Sequence, residues 1–334
     1  MTTQAPVLLI GGAGLIGATA ARTLRRTYPE LPITLGVRDP VGAAALVADL
    51  GRAEAAAVDL SRRDLGLDPA ARFSAVVVFF KDATLNSLRF AQDRGLGYVD
   101  ISSAAFELGP QVALAIQRPD ASAVVMASNW LAGTSTAVAA HYGAEFDRID
   151  AIKVSALLDD QDIGGGAAAE DYERQTGAGP SALQLRGGRW TWASGDEAKE
   201  VFSSVDGRPF EAAPFGNLDV LSLATAFDVP SARFEFAVGE TASRLRGEAF
   251  STEIVIEIAG RRRDGREGVF RFRVVHPEGQ APLTAQGVAL VVERLAGLGG
   301  LPRLEPGLYL PHTVVDPGRA VAAFRAMGAV IEEA

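Results

Sequence analysis

Gly11, Gly12, Gly14 and Gly17 follow directly on the apolar run Val7–Ile10 and lead into an Ala/Leu/Arg segment of helical character. A G-x-G-x-x-G spacing in that setting is the pattern of a backbone that closes on a phosphate. Gly12 makes the tight turn, Gly14 lets the chain approach a pyrophosphate, and Gly17 lets helix and strand pack closely. Leu15 and Ile16 lie between the last two glycines, at the helix start, where N–H groups and the helix dipole favour an anion. The glycines alone are a weak signal. Their weight comes from a β-α-β unit that continues into "PITLGVR" at 32–38.

The end of that second strand selects the dinucleotide. An Asp or Glu there accepts from the ribose 2′-OH of NAD, whereas an Arg accommodates the 2′-phosphate of NADP. The chain reads Gly36-Val37-Arg38-Asp39. Arg38 can bind a phosphate bidentately and stack on adenine, which favours NADP over NAD. Asp39 would reverse that preference if it faced the ribose in place of Arg38.

Later strand ends belong to the same site, because ligands lie beyond the carboxyl ends of parallel strands. Asp59 and Leu60 end the third strand, where an acidic side chain can accept from the adenine amino group. Phe80 and Lys81 end the fourth, near the place of a nicotinamide ribose; Lys81 is one of only three lysines. Asp100 ends the fifth strand and either orients substrate and relays a proton or fixes the loop that follows. Ser102, two residues on, joins the cofactor-binding set. Asn129, after the sixth strand, can contact a nicotinamide amide; Trp130 beside it is either a pocket wall or plain core. The candidate catalytic residues are therefore Asp100, Lys81 and Asn129. The candidate cofactor-binding residues are Gly12, Gly14, Leu15, Ile16, Gly17, Arg38, Asp59, Leu60, Phe80 and Ser102.

The elements that must position these residues are legible as short apolar runs at 7–10, 32–37, 53–60, 73–80, 98–102 and 122–128. Most are unbroken rather than alternating, as in parallel strands buried on both faces. Helical patterns at 14–27, 41–50 and 83–94 separate several of them. The expected fold is α/β, a Rossmann-type doubly wound parallel sheet, with a second α+β domain containing an antiparallel sheet. In that second domain the stretch 159–182, with three consecutive glycines, reads as a mobile loop. Residues 251–276 read as a hairpin turning at Asp264-Gly265, with Glu253 and Glu257 facing outward towards Arg271 and Arg273. Asp316 and Pro317 start a closing helix. The expected domains are 1–130 for the dinucleotide, 131–282 for substrate and dimerisation, and 283–334 as C-terminal helices returning to the first.

Composition sets the bounds. An apolar content of 48% with 22% charged residues is that of a soluble globular protein. A net charge of −9 argues against nucleic acid as a partner. The absence of cysteine removes thiolate chemistry and disulfides, and three scattered histidines make no metal site. No run of about 20 apolar residues suggests a membrane span. The N-terminus has no basic region of a targeting peptide, so a cytoplasmic protein is expected.

"FSAVVVFFKDATLNSLRFAQDRGLGYVDIS" followed by "VVMASNWLAGTSTAVAAHYGAEF" resembles the saccharopine dehydrogenase-like reductases. The resemblance covers about the first 160 residues, with Tyr98, Asp100 and Ser102 its most distinctive positions. It implies hydride transfer with NAD(P), typically to an imine made from an amino acid and a carbonyl compound. It also implies a homodimer, built through a middle domain that interrupts the Rossmann domain. Two departures leave the substrate open: the turn after the sixth strand is Asn129-Trp130-Leu131-Ala132-Gly133 where the family often has Pro-Gly, and the middle domain is shorter. The Tyr/Lys pair four apart that short-chain dehydrogenases need is missing at Tyr98, Tyr142 and Tyr172. The expected function is an NADP-dependent oxidoreductase acting on a small imine or carbonyl; the alternative is a non-catalytic NAD(P)-binding redox sensor.

Overall fold

A computed structural model describes residues 4–162, 165–177, 182–213 and 215–334. It divides into two units. The first holds residues 1–103, 107–127 and 285–314; the second holds 104–106, 128–284 and 315–334.

The first unit is built on a parallel sheet with strands β1 (Val7–Ile10), β2 (Ile33–Val37), β3 (Ala53–Ala57), β4 (Ala75–Val78), β5 (Gly97–Asp100) and β6 (Ala123–Met126). The spatial order is β3-β2-β1-β4-β5-β6, and a seventh parallel strand, Gly307–Tyr309, lies beside β6. The chain starts in the middle, winds outward through β2 and β3, then crosses to β4. The winding therefore reverses between β1 and β4, the place in such sheets where ligands bind beyond the carboxyl ends of the strands. Every residue of β1 and β4 is buried, because helices cover both faces of a doubly wound sheet and leave no wet side.

Helices α1 (Leu15–Thr27), α2 (Ala44–Leu50), α3 (Asn86–Asp93) and α4 (Leu108–Gln117) alternate with these strands. α1 buries Gly17, Ala20, Ala21 and Leu24, one stripe at helical spacing. Three of those four side chains are no larger than a methyl, so α1 can lie close on the sheet. The doubly wound parallel sheet expected from the sequence is present, with strand boundaries within three residues of the expected ones.

The second unit contains α5 (Thr134–Gly143), β7 (Phe146–Asp159), α6 (Gly166–Gly177), β8 (Leu183–Arg186), β9 (Arg189–Trp192), α7 (Asp219–Phe227), β10 (Ala232–Gly239), β11 (Thr252–Arg262) and β12 (Glu267–His276). Its sheet runs from the closing strand Val330–Glu333 through β12, β11, β7, β10 and β8 to β9. β7 and β10 pair in parallel and the other pairs are antiparallel. The sheet is thus mixed rather than purely antiparallel.

Within it the β11–β12 hairpin has the expected register. Ile254, Ile256 and Ile258 lie opposite Val274, Phe272 and Phe270, and Gly265 takes the left-handed conformation in the turn, φ +90°. Three expectations fail here. Neither Glu253 nor Glu257 meets Arg271 or Arg273: Glu257 pairs with Lys153 at 3.1 Å, Arg273 pairs with Glu332, and Arg271 donates to the Ser203 and Ser204 carbonyls. Glu253 is buried, not outward: its carboxylate accepts the Ala242 N–H at 2.7 Å. The stretch expected as a mobile loop forms α6 over Gly166–Gly177, because "AAAEDYER" is a good helix former once past the glycines; residues 163, 164 and 178–181 lie outside the described residues. The last helix, Pro317–Ala326, starts as expected, with the Asp316 carboxylate accepting the Arg319 N–H at 2.7 Å. No helix among the described residues is long and apolar enough to cross a membrane.

Candidate functional site

At the end of β1 the chain reverses on Gly11, whose φ of +85° places it in the left-handed region. Its N–H donates to the Gly36 carbonyl at 2.9 Å, fastening the turn to β2. The strained residue of the motif is therefore Gly11, one place before Gly12, where the sequence alone put the turn. Gly12 serves close approach instead: a Cβ there would sit 2.7 Å from the Leu9 carbonyl oxygen. At Gly17 a Cβ would fall inside any allowed distance of the Gly11 carbonyl oxygen and 2.7 Å from the Gly12 Cα. Gly14 differs, since a Cβ there meets only the Gly11 carbonyl oxygen, at 3.3 Å. Space above Gly14 is open, and α1 begins beside it with no side-chain cap and no acidic residue in its first turn. Leu15 is exposed and Ile16 half-buried at that helix start. This is a cradle that a pyrophosphate fits: open over Gly14, with uncapped helix N–H groups at its rim.

Around the cradle, Phe80 is half-buried, and its ring edge would lie 2.9 Å from a Cβ at Gly11. Arg38 is exposed at the end of β2 and makes no ion pair among the described residues. Asp59 is exposed and folds back on Ser61, accepting its N–H at 2.9 Å and its hydroxyl at 2.7 Å. Those two hydrogen bonds hold its carboxyl below the ordinary range. Leu60 contributes through its carbonyl, which accepts from the Thr84 hydroxyl at 2.9 Å and the Asn86 amide at 2.8 Å.

Between β4 and β5 the structure joins several candidates into one network. The buried Asp100 carboxylate accepts the Ser102 N–H at 2.7 Å, the Gln111 side-chain amide at 2.5 Å and the Ser103 hydroxyl. The Lys81 ammonium donates to the same Ser103 hydroxyl at 3.0 Å and pairs with Glu107 at 3.6 Å. Lys81, Ser102 and Asp100, marked by sequence, thus meet through Ser103, Glu107 and Gln111, which it missed. Only the chain's return through α4 brings Gln111 to Asp100, so no local spacing signals it. With three donors on its oxygens, Asp100 holds the β5–α4 loop. Asp100→Ala strands those buried donors and is expected to cost about 3 kcal/mol, read as a lower urea midpoint at unchanged m-value.

Asn129 belongs to the second unit. Its amide donates to the Ser222 hydroxyl at 2.9 Å, and its Oδ1, buried, has no partner among the described residues. Trp130 is buried against Phe215, Phe234 and Phe236, with ring centroids 5.2–5.6 Å apart. Its backbone N–H donates at 2.6 Å to Asp219, a fully buried carboxylate that also accepts the Ser135 hydroxyl. Burial pushes the Asp219 carboxyl up to about 6. Between these anchors Leu131 and Ala132 both take the left-handed conformation, φ +51° and +52°, and Gly133 follows at +96°. Two consecutive left-handed residues with side chains are strained. Nothing in the spacing of Asp219 announced that it would clamp a turn 89 residues earlier.

Several charged side chains of the second unit are paired with one another or with backbone. Asp159 is buried and pairs with Arg244 at 2.7 Å, and Asp162 accepts the Gln280 N–H at 2.7 Å. Arg174 and Arg246 pair with Asp171 and Glu248.

No family model matches the chain, and no curated protein matches it in sequence. Solved structures do. The chain is similar to apo saccharopine dehydrogenase (L-Glu forming) from Saccharomyces cerevisiae, with a TM-score of 0.61 at 11% identity over 99% of each chain. It is also similar to amine dehydrogenase from Mycobacterium smegmatis, with a TM-score of 0.51 at 12% identity over 95% of this chain and 96% of that one. At these identities the fold is what is shared.

Proposed function

We propose that the chain is an NADP-dependent oxidoreductase that transfers hydride to a small imine or carbonyl substrate and works as a homodimer. The observation that carries this reading is the β1–α1 cradle: Gly11 reverses the chain, Gly17 admits the helix, and Gly14 leaves room for a pyrophosphate on uncapped N–H groups. Arg38, exposed at the end of β2 and without an ion pair among the described residues, supplies a guanidinium for a 2′-phosphate. Saccharopine dehydrogenase and amine dehydrogenase, which share the fold, are named for chemistry at carbon–nitrogen bonds, and this supports the imine half of the proposal.

The cofactor supplies the hydride when bound; the chain must supply a proton and hold the reactants in place. Lys81, steadied by Ser103 and Glu107, is the proposed proton donor to the nitrogen or oxygen left electron-rich by hydride transfer. Asp100 is the positioning residue behind Ser103.

Isothermal titration with NADPH and NADH tests the premise, with NADPH expected to bind at least tenfold tighter. Failure of both to bind overturns the cofactor assignment, and tighter NADH binding overturns the role of Arg38. An NADPH-oxidation screen of keto acids and aldehydes with amines then addresses the substrate. Binding without turnover on any of them selects a sensor over an enzyme.

A further inference from the structure

Next to Arg38 stands the residue type that would turn this site towards NAD, and the local fold takes it out of play. We propose that Asp39 and Gly42 set the dinucleotide preference: the Asp39-Pro40-Val41-Gly42 segment folds the Asp39 carboxylate back on the chain, leaving Arg38 alone to meet a 2′-phosphate. This rests on the reading that the chain binds a nicotinamide dinucleotide.

The backbone turn itself runs over residues 40–43, closed by the Ala43 N–H on the Pro40 carbonyl at 3.2 Å, with Asp39 at its entrance. Pro40 also biases Asp39 towards extended backbone. The Asp39 Oδ1 accepts the Val41 N–H at 3.0 Å, two residues on, so the side chain closes its own turn. The other oxygen lies over Gly42, where a Cβ would sit 3.1 Å from Oδ2 and 3.7 Å from Cγ. Gly42 does not have a left-handed φ. Its missing side chain is therefore needed for space rather than for backbone conformation. With Oδ1 engaged and Oδ2 turned over Gly42, the carboxylate is held in one orientation, and a ribose 2′-OH must break that turn to use it as the bidentate acceptor of an NAD site. The same folding turns the negative charge towards Val41 and Gly42 and fixes it there, where it repels a 2′-phosphate less than a carboxylate turned to the ribose would. Specificity then comes from one attraction kept and one repulsion reduced.

The test is titration of NADPH and NADH into the full chain and into Arg38→Leu, Asp39→Asn, Gly42→Val and the Asp39→Asn/Gly42→Val double variant. Arg38→Leu is expected to lose at least tenfold in NADPH affinity with NADH within threefold. Asp39→Asn keeps the NADPH/NADH ratio within threefold, because Asn Oδ1 closes the same turn. Gly42→Val displaces the carboxylate and lowers the ratio at least fivefold; in the Asp39→Asn background the same substitution moves it less than twofold. A fivefold fall in Asp39→Asn, or an equal fall from Gly42→Val with and without Asp39, overturns the proposal. Wild-type chain that binds neither dinucleotide, or prefers NADH, overturns the cofactor reading beneath it and is recognised as such before any variant is measured.

Discussion

Gly17→Ala is expected to weaken dinucleotide binding by up to about 100-fold while leaving a chain that still folds at reduced stability. A single methyl at this place meets backbone on two sides, the Gly11 carbonyl oxygen and the Gly12 Cα. Backbone cannot rotate away as a side chain can, so α1 must lift from β1 or the Gly11 turn must open. Overpacking of this kind costs about 3 kcal/mol, and the same displacement removes the helix N–H groups from the pyrophosphate. If all of that energy is lost from binding, affinity falls about 100-fold. Gly14→Ala is the informative control. Its methyl meets only the Gly11 carbonyl oxygen, at 3.3 Å, so its melting temperature is expected to stay near wild type while the ligand loses its closest approach. Calorimetric melts and NADPH titration of both variants separate the two glycines. Equal destabilisation of both would refute the division of labour between packing and ligand approach.

That division explains why so much of the cradle was legible beforehand. What a glycine permits is decided within a few residues, so motif, strand and helix could be read together. The turn Asp316-Pro317 and the hairpin register of Ile254–Ile258 were legible for the same reason: cap chemistry and alternation are local. The errors lie where distant chain decides. Glu253 alternates like a solvent-facing residue, yet it is buried because the Ala242 backbone needs its carboxylate. Asp100 was left open between proton relay and loop fixing; its partners show a loop held by Ser102, Ser103 and Gln111, and no periodicity places Gln111 there. The parallel pairing of β7 with β10 was equally out of reach, since both strands read alike in either direction.

Asp219 shows the largest gap between sequence and structure, and its substitution is expected to change stability in a pH-dependent way. The carboxyl releases its proton near 3.8 in the unfolded chain and near 6 in the folded one, because burial disfavours the charge and no cation among the described residues pairs with it. The folded state therefore binds more protons between those values. The contribution of Asp219 to stability is full below about pH 3.8 and is lost as pH rises through 6. By pH 8 the cost of keeping the charge is about 3 kcal/mol. Asp219→Asn keeps an oxygen for the Trp130 N–H and an amide for the Ser135 hydroxyl, but carries no charge. It is expected to be more stable than wild type at pH 8 by up to about 3 kcal/mol, with the gain shrinking towards zero near pH 4. Asp219→Ala, by contrast, strands both buried donors and frees the strained Leu131–Ala132 turn: it is expected to be about 3 kcal/mol less stable than Asp219→Asn at every pH, hence about 3 kcal/mol below wild type near pH 4 with the deficit closing towards pH 8. Urea denaturation of the three proteins at pH 4.5, 6 and 8 reads the difference directly, since depressed carboxyls such as Asp64 and Asp93 cancel between variants. A constant gap between wild type and Asp219→Asn would mean that the carboxyl does not titrate where its burial puts it. If the gap opens as expected, the chain keeps a buried charge at a cost in stability, at a left-handed turn just beyond β6. A residue retained against stability is the one to test next for turnover once a substrate is in hand.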